Sequence, residues 1–168
     1  VNVSADQLNS PNFAAVVASA LANSGLPPGR LELEVTESVF MREGTGATKV
    51  LESILDMGVK LALDDFGTGY SSLSYLKRFD IDYIKIDQSF VRSLAQSPED
   101  VALCGAIISM AHALHIKVIA EGVETLEQID ILTAAGCDYG QGFLFCGPVL
   151  PAEFEAFVAH GQFAGAMG

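Results

Sequence analysis

Ten polar side chains lie at the ends of short apolar segments, and most of them can bind a metal ion through oxygen. They are Asn2, Glu34, Glu37, Asp64, Asp65, Lys85, Asp87, Glu121, Glu124 and Gln141. Seven of them are carboxylates, and like charges gathered in one place cannot all stay ionised without compensation. Bound cations would supply that compensation. Oxygen ligands predict Mg²⁺ or Mn²⁺, with Ca²⁺ as a competitor.

The adjacent pair Asp64-Asp65 predicts two metal ions, because one carboxylate can bridge both ions while the other binds the second. Paired metals serve in-line phosphoryl displacement, in which they activate a water and stabilise the leaving oxygen. Lys85 is expected to orient that water or to neutralise developing charge. Two alternatives use the same residue types: other metal-assisted barrel enzymes, such as enolisation catalysts, and isolated acids that only cap helices.

The elements that must position these residues alternate between strand and helix. Strands are predicted at residues 1–4, 31–35, 59–63, 83–86, 116–120 and 142–145. Helices are predicted from Ser10-Pro11 to Gly25, at 45–57 and 73–79, from Ser97-Pro98 to 114, from Thr125 (with a capping box to Gln128) to Gly136, and from Pro151 to Ala159. This alternation predicts a parallel sheet, either a barrel or an open doubly wound sheet. The first strand is not followed by a glycine-rich phosphate loop, which disfavours the open sheet.

Composition limits the function classes further. The chain has 168 residues, half of them hydrophobic, and 21 acidic against 9 basic residues give a formal net charge of −12. That charge disfavours binding of duplex nucleic acid or of an anionic membrane surface. Three scattered cysteines, Cys104, Cys137 and Cys146, predict reduced thiols in the cytoplasm. No apolar run is long enough to predict a membrane span.

Six motifs together resemble one known family. They are Val-Asn-Val-Ser, Glu-Val-Thr-Glu, Asp-Asp-Phe-Gly-Thr-Gly-Tyr-Ser-Ser-Leu, Ile-Lys-Ile-Asp-Gln-Ser-Phe, Ala-Glu-Gly-Val-Glu-Thr and Gln-Gly-Phe-Leu-Phe. In this order and spacing, over about residues 1–158, the chain resembles the EAL-domain cyclic-di-GMP phosphodiesterases. The resemblance implies a modified TIM-like (β/α) barrel that hydrolyses cyclic di-GMP to linear pGpG with Mg²⁺ or Mn²⁺.

The resemblance also implies roles for individual residues. Asn2, Glu34 and Asp64 match ligands of one metal, and Asp64 with Asp65 match ligands that link to the second. Lys85 matches the lysine that contacts the attacking water. Glu121 matches the glutamate that acts as general base or holds the water and metal.

Other matched residues support the site. Gln141 matches a glutamine near the metals and the water, Asp87 and Glu124 match supporting groups, and Phe143 is a candidate for contact with a base. Glu37 matches the residue that stabilises the loop after the third strand. The matched residues of that loop are Phe66, Gly67, Thr68, Gly69, Ser71 and Ser72.

One departure from the family is large. The Glu-x-Leu motif, whose glutamate is a metal ligand, is absent, so we expect residues 1–160 to form about six of the eight β/α units, followed by a flexible tail at 161–168. The isolated chain is then expected to be almost inactive. A natural truncation or degenerate copy is the alternative.

The family also suggests partners and other roles. Its members often dimerise and often follow sensory or diguanylate-cyclase domains, which can anchor the whole protein in a membrane. A cyclic-di-GMP receptor without catalysis is the alternative function, and a role in regulating a partner protein is a third.

Overall fold

The computed structural model describes residues 1–40, 46–69 and 74–159. Within these ranges a parallel sheet of five strands runs in the order β1-β2-β3-β4-β5. The strands are β1 (Glu32–Thr36), β2 (Lys60–Phe66), β3 (Tyr83–Ile86), β4 (Lys117–Glu121) and β5 (Tyr139–Gln141). Helices connect consecutive strands, so the fold is a partial (β/α) barrel and the predicted fold class is confirmed.

The predicted first strand is reduced to one parallel bridge, which joins Asn2 to Glu34 on the free side of β1. Backbone hydrogen bonds of 2.9 Å hold it, from Val3 N to Glu34 O and from Glu34 N to Val1 O. Asn2 therefore occupies a sixth strand position beside Glu34, the central residue of β1. The strand ends lie side by side, as the sequence predicted.

The helices are α1 (Ala5–Asn9), α2 (Phe13–Ser24), α3 (Gly46–Leu55), α4 (Ser74–Arg78), α5 (Gln88–Arg92), α6 (Pro98–Ala113), α7 (Leu126–Ala134) and α8 (Pro151–Ala159). Two predicted starts are confirmed, because Ser97 caps α6 and Thr125 forms a capping box with Gln128 in α7. None of the helices in the described ranges combines the length and the apolar character that crossing a bilayer requires. The predicted tail lies outside the described residues.

Three local predictions are wrong. Ser10 does not open a helix: it ends α1, whose own capping box joins Ser4 to Gln7, and α2 begins at Phe13. The short helices α1 and α5 were not predicted, because each spans five residues and shows little periodicity.

The predicted position of the last strand is also wrong. The prediction was residues 142–145, whereas β5 is Tyr139–Gln141. Gly142 lies against the backbone of Val123, where a Cβ atom would overlap main-chain atoms. Val123 N donates to Gln141 O (3.0 Å) and Leu144 N donates to Val123 O (3.1 Å), so the chain turns around Val123. Gln141 consequently lies at the carboxyl end of β5.

The core explains why the strand ends are held in place. Aliphatic side chains from the middle of the strands are fully buried, among them Leu61, Leu63, Ile84, Ile86 and Val118. Each such side chain contributes about 1.5–3 kcal/mol through burial. The polar residues at the strand ends therefore directly follow closely packed core segments.

A polar contact ties α6 to the strands at the opposite end of the sheet. The Asp138 carboxylate accepts hydrogen bonds from Val118 N and His112 Nε2, both at 2.9 Å. Burial opposes a low pKa, but these two hydrogen bonds hold the pKa of Asp138 below its ordinary value. The charged form is therefore favoured in the folded state, and its contribution to stability is lost as the pH falls through the lowered pKa.

We expect Asp138→Asn to lower the free energy of unfolding by about 1 kcal/mol at pH 6, the usual size of a hydrogen-bond loss. The difference from wild type should shrink as the pH falls below the ordinary aspartate pKa and through the lowered pKa of Asp138 in the folded state. Urea denaturation across this range measures it. Asp130→Asn, on the exposed side of α7, is the matched control. A difference that does not shrink at all as the pH is lowered through the acid range would contradict the assignment.

Candidate metal and catalytic site

Lys85 is the centre of the polar cluster at the carboxyl ends of the strands. Its side chain is 4% exposed, and Nζ lies 2.5 Å from Glu34 Oε2, 2.7 Å from Glu121 Oε1 and 3.0 Å from Asp64 Oδ1. Burial opposes the charge, but hydrogen bonds to these carboxylates raise the pKa of Lys85 above its ordinary value. Lys85 is therefore an ammonium group that holds three carboxylates together. These four residues were all predicted to meet here.

The backbone around Asp64 and Asp65 brings both carboxylates close to that of Glu121. The register between β2 and β3 shifts between Leu63 and Phe66, and such irregularities re-aim side chains near functional sites. Asp65 has φ = 53°, a left-handed conformation that costs energy in a residue other than glycine. As a result, oxygens of Asp64, Asp65 and Glu121 come within 4.8 Å of one another.

This donor set fits a hard divalent cation. All three groups are carboxylates, which are the ligands that Mg²⁺ and Mn²⁺ favour. Asp64 Oδ1 is buried, and among the described residues its polar contact is with Lys85 Nζ at 3.0 Å. A buried carboxylate oxygen with an incomplete shell has room for a further positive partner.

Asp65 and Asp87 form a linked pair beside this cluster. Burial, then the negative charges of Asp64 and Asp87, then a hydrogen bond with Asp87, raise the pKa of Asp65. The pKa of Asp87 is lowered despite its burial, because the side chain and backbone of Ser89 donate hydrogen bonds to it. Asp87 also caps α5. Asp87 therefore links the start of α5 to Asp65, one of the predicted metal ligands.

Glu121 is one of two carboxylates of the cluster whose pKa is raised, the other being Asp65. Burial raises its pKa above the ordinary value, Lys85 works in the opposite direction, and the charges of Asp64 and Glu34 raise it further. A carboxylate of raised pKa is a stronger base than a free one. Its side chain is 17% exposed, so a substrate can reach it.

Glu37 holds the loop that follows β2. It is 7% exposed, and its Oε1 accepts a hydrogen bond from Gly67 N at 3.1 Å. A Cβ atom at Gly69 would lie 2.9 Å from Glu37 Oε2, so the loop depends on a glycine for this close approach. The Thr68 hydroxyl donates to Asp65 O (2.9 Å), and Phe66 is buried.

The loop-stabilising role of Glu37 thus stays a prediction, but its contacts agree with it. The predicted loop residues Ser71 and Ser72 lie outside the described residues.

An open cleft of about 430 Å³ extends from Glu121. Its walls include the predicted residues Glu124, Gln141 and Phe143, and Phe143 is 70% exposed. Gln88 and Cys146 also line the cleft and were not predicted. Gln88 directly follows Asp87 in a recognised motif, so its position could have been inferred from that neighbour, whereas Cys146 carries no such signal.

Comparison with known proteins identifies the family of this chain. The family model of the EAL domain matches residues 1–148. The signalling protein YkoW of Bacillus subtilis is 45% identical over 158 residues, which are 94% of this chain and 20% of YkoW. The chain thus spans about a fifth of the length of this curated relative.

Two solved structures share the fold. The MucR phosphodiesterase of Pseudomonas aeruginosa, in complex with cyclic di-GMP, has a TM-score of 0.86 and 43% identity, and the match covers 92% of this chain and 62% of that one. Klebsiella pneumoniae BlrP1, in a complex with manganese and cyclic di-GMP, has a TM-score of 0.81 and 38% identity over 88% of this chain and 38% of that one. With the match of the family model over most of its length, this chain belongs to the EAL domain family.

Proposed function

We propose that this domain hydrolyses one phosphodiester bond of cyclic di-GMP to give linear pGpG, with Mg²⁺ or Mn²⁺ as cofactor. The main support for this proposal is that Lys85 Nζ lies within 3.0 Å of carboxylate oxygens of Glu34, Asp64 and Glu121. A further carboxylate, Asp65, lies beside them. Relatives named as binding cyclic di-GMP and manganese support the choice of substrate and ion.

Different residues of this chain have different roles in the proposed reaction. Asn2, Glu34, Asp64, Asp65 and Glu121 would hold the cations at the strand ends. Bound divalent cations lower the pKa of a coordinated water and offset the charge of a phosphoryl group. Glu121 accepts the proton of the attacking water, because its raised pKa makes it an effective base.

Lys85 supplies the fixed positive charge of the reaction. Its raised pKa keeps it protonated at neutral pH, so its charge can stabilise negative charge that develops on the phosphoryl group. Because it is buried among carboxylates on adjacent strands, it needs no reorganisation when negative charge develops.

The cleft beside Glu121 takes the nucleotide. Its volume of about 430 Å³ lies within the range of small-molecule sites. The exposed ring of Phe143 offers a stacking surface for a base, while the Gln141 and Glu124 side chains provide polar contacts. The net charge of −12 does not prevent phosphate binding, because metal ions invert the local charge at the site.

The test incubates the full-length protein with cyclic di-GMP and measures pGpG by chromatography. We expect turnover with Mg²⁺ or Mn²⁺, loss of turnover with excess EDTA, and inhibition by Ca²⁺, which takes more ligands in a looser geometry. Nucleotide binding without pGpG under either ion would reject the enzyme and favour a receptor. Cyclic di-GMP that neither binds nor reacts would reject both functions.

The assembly around the domain belongs to the same proposal. We propose that it dimerises, that it works in the cytoplasm and that it is attached to sensory or diguanylate-cyclase domains. The greater length of YkoW supports the attached domains, and three free thiols support a reducing compartment.

A further inference from the structure

Gln128 is a buried polar residue for which catalysis has no direct use. Its side chain is 5% exposed and lies on α7, behind the loop that carries Glu121 and Glu124. Oε1 accepts hydrogen bonds from Glu124 N (2.8 Å) and Thr125 N (3.0 Å). Nε2 donates to the carbonyl oxygen of Val91 at 3.1 Å.

A helix cap alone does not require this arrangement. The reciprocal bond of a capping box needs only the contact to the N-cap backbone, which here is Thr125 N. The further bonds reach Glu124 N, which lies in the cleft-lining loop, and Val91, which lies in α5 and is distant in sequence. The bonds to Glu124 N and Val91 O are therefore not needed to start α7. They join the cleft-lining loop to α5 through the Gln128 side chain.

The two joined elements hold opposite sides of the site. One is the stretch that starts at Glu121, the proposed base and the last residue of β4, and continues through the loop that ends at Thr125. The other is α5, which begins directly after Asp87, the hydrogen-bond partner of Asp65. A second close contact lies between the same two elements, because a Cβ atom at Gly122 would be 2.6 Å from Gln88 Cβ.

We infer that Gln128 is a positioning residue that locks the Glu121–Thr125 loop to α5 and so fixes the distance between the proposed base and the Asp65–Asp87 side of the metal site. The inference rests on the proposed function. Glutamine suits this position because it offers acceptor and donor on one side chain, whereas glutamate lacks the donor and methionine lacks both. Displacement of a catalytic group by about 1 Å costs on the order of 100-fold in rate.

The test compares Gln128→Met with Leu132→Val in the full-length protein. Leu132 is 4% exposed on the same helix and makes none of these bonds, so its variant disturbs the packing of α7 without releasing the loop. We expect Gln128→Met to lower kcat by about 10- to 100-fold with a smaller change in KM. We expect Leu132→Val to keep kcat within about twofold of wild type.

Amide hydrogen exchange gives a readout that does not depend on turnover. Exchange in the peptide spanning residues 121–128 should rise in Gln128→Met and stay near wild type in Leu132→Val. Equal exchange in the two variants, or an unchanged kcat in Gln128→Met, overturns the inference. Wild-type protein without turnover overturns the proposed function instead.

If Gln128→Met does not fold, Gln128→Glu takes its place in the same measurements. It retains the acceptor for Glu124 N and Thr125 N but loses the donor to Val91 O. We expect an intermediate loss of kcat with the loop still protected from exchange. A kcat equal to wild type would show that the link to α5 has no positioning effect.

Discussion

Lys85→Met should lower the kcat for cyclic di-GMP hydrolysis by about 100- to 1000-fold, the usual cost of removing a fixed donor that stabilises developing charge. The same change should weaken the metal-free protein. Glu34, Asp64 and Glu121 would then face one another without the ammonium group that now contacts all three. Leaving buried charges unpaired costs about 3 kcal/mol, and more where burial is complete.

Metal ions should partly reverse this loss of stability. In the variant, a divalent cation becomes the remaining source of positive charge for the three carboxylates, so Mn²⁺ should raise the melting temperature more than in wild type. Calorimetry with and without Mn²⁺ measures the shift, and a pGpG assay measures kcat.

The matched control is Lys117→Met, which removes a lysine from the start of β4. Lys117 is exposed and donates to the Tyr139 hydroxyl at 3.0 Å, far along the strand from Glu121. Its variant should keep kcat within about twofold, since exposed charge contacts contribute little. Equal losses in the two variants would show that Lys85 acts through stability and not through the reaction.

The strand ends could be predicted from sequence because a simple rule places them. Short apolar segments followed by acids recur, and parallel strands bring their carboxyl ends to one face. Two strands share the same pattern, in which a lysine begins the strand and an acid follows it at the same spacing. The pairs are Lys60 with Asp64 in β2 and Lys117 with Glu121 in β4. Each pair lies beside a strand that opens on a tyrosine, Tyr83 or Tyr139.

Features that depend on distant contacts could not be predicted. The capping box of Thr125 and Gln128 is readable within four residues, but the bond from Gln128 to Val91 spans 37 positions. The turn at residues 142–145 was mistaken for a strand because Phe143 and Phe145 favour strands. Its true course follows from contact with Val123, which no local pattern encodes. Likewise, the left-handed backbone of Asp65 lies where the register of β2 shifts against β3, a pairing that no local pattern shows.

Glu121→Gln should lower kcat by about 100- to 10,000-fold, the range that general acid–base catalysis contributes. Glutamine has nearly the size of glutamate and can still accept a hydrogen bond from Lys85, so the fold and the cleft should persist. What it lacks is the capacity to take a proton from water. The variant should therefore bind cyclic di-GMP with an affinity close to that of wild type while forming almost no pGpG.

Two measurements separate this role from that of a metal ligand. Isothermal titration with Mn²⁺ should show a large loss of affinity in Asp64→Asn, whose carboxylate is the most enclosed of the metal group at 14% exposure. A smaller loss is expected in Glu121→Gln, because Asp64, the carboxylate proposed to contact both ions, remains as a ligand together with Asp65 and Glu34. Glu127→Gln, an exposed acid on α7, should match wild type in both assays. If Glu121→Gln loses Mn²⁺ as completely as Asp64→Asn does, Glu121 acts chiefly as a metal ligand. The base must then be sought among the other carboxylates around Lys85.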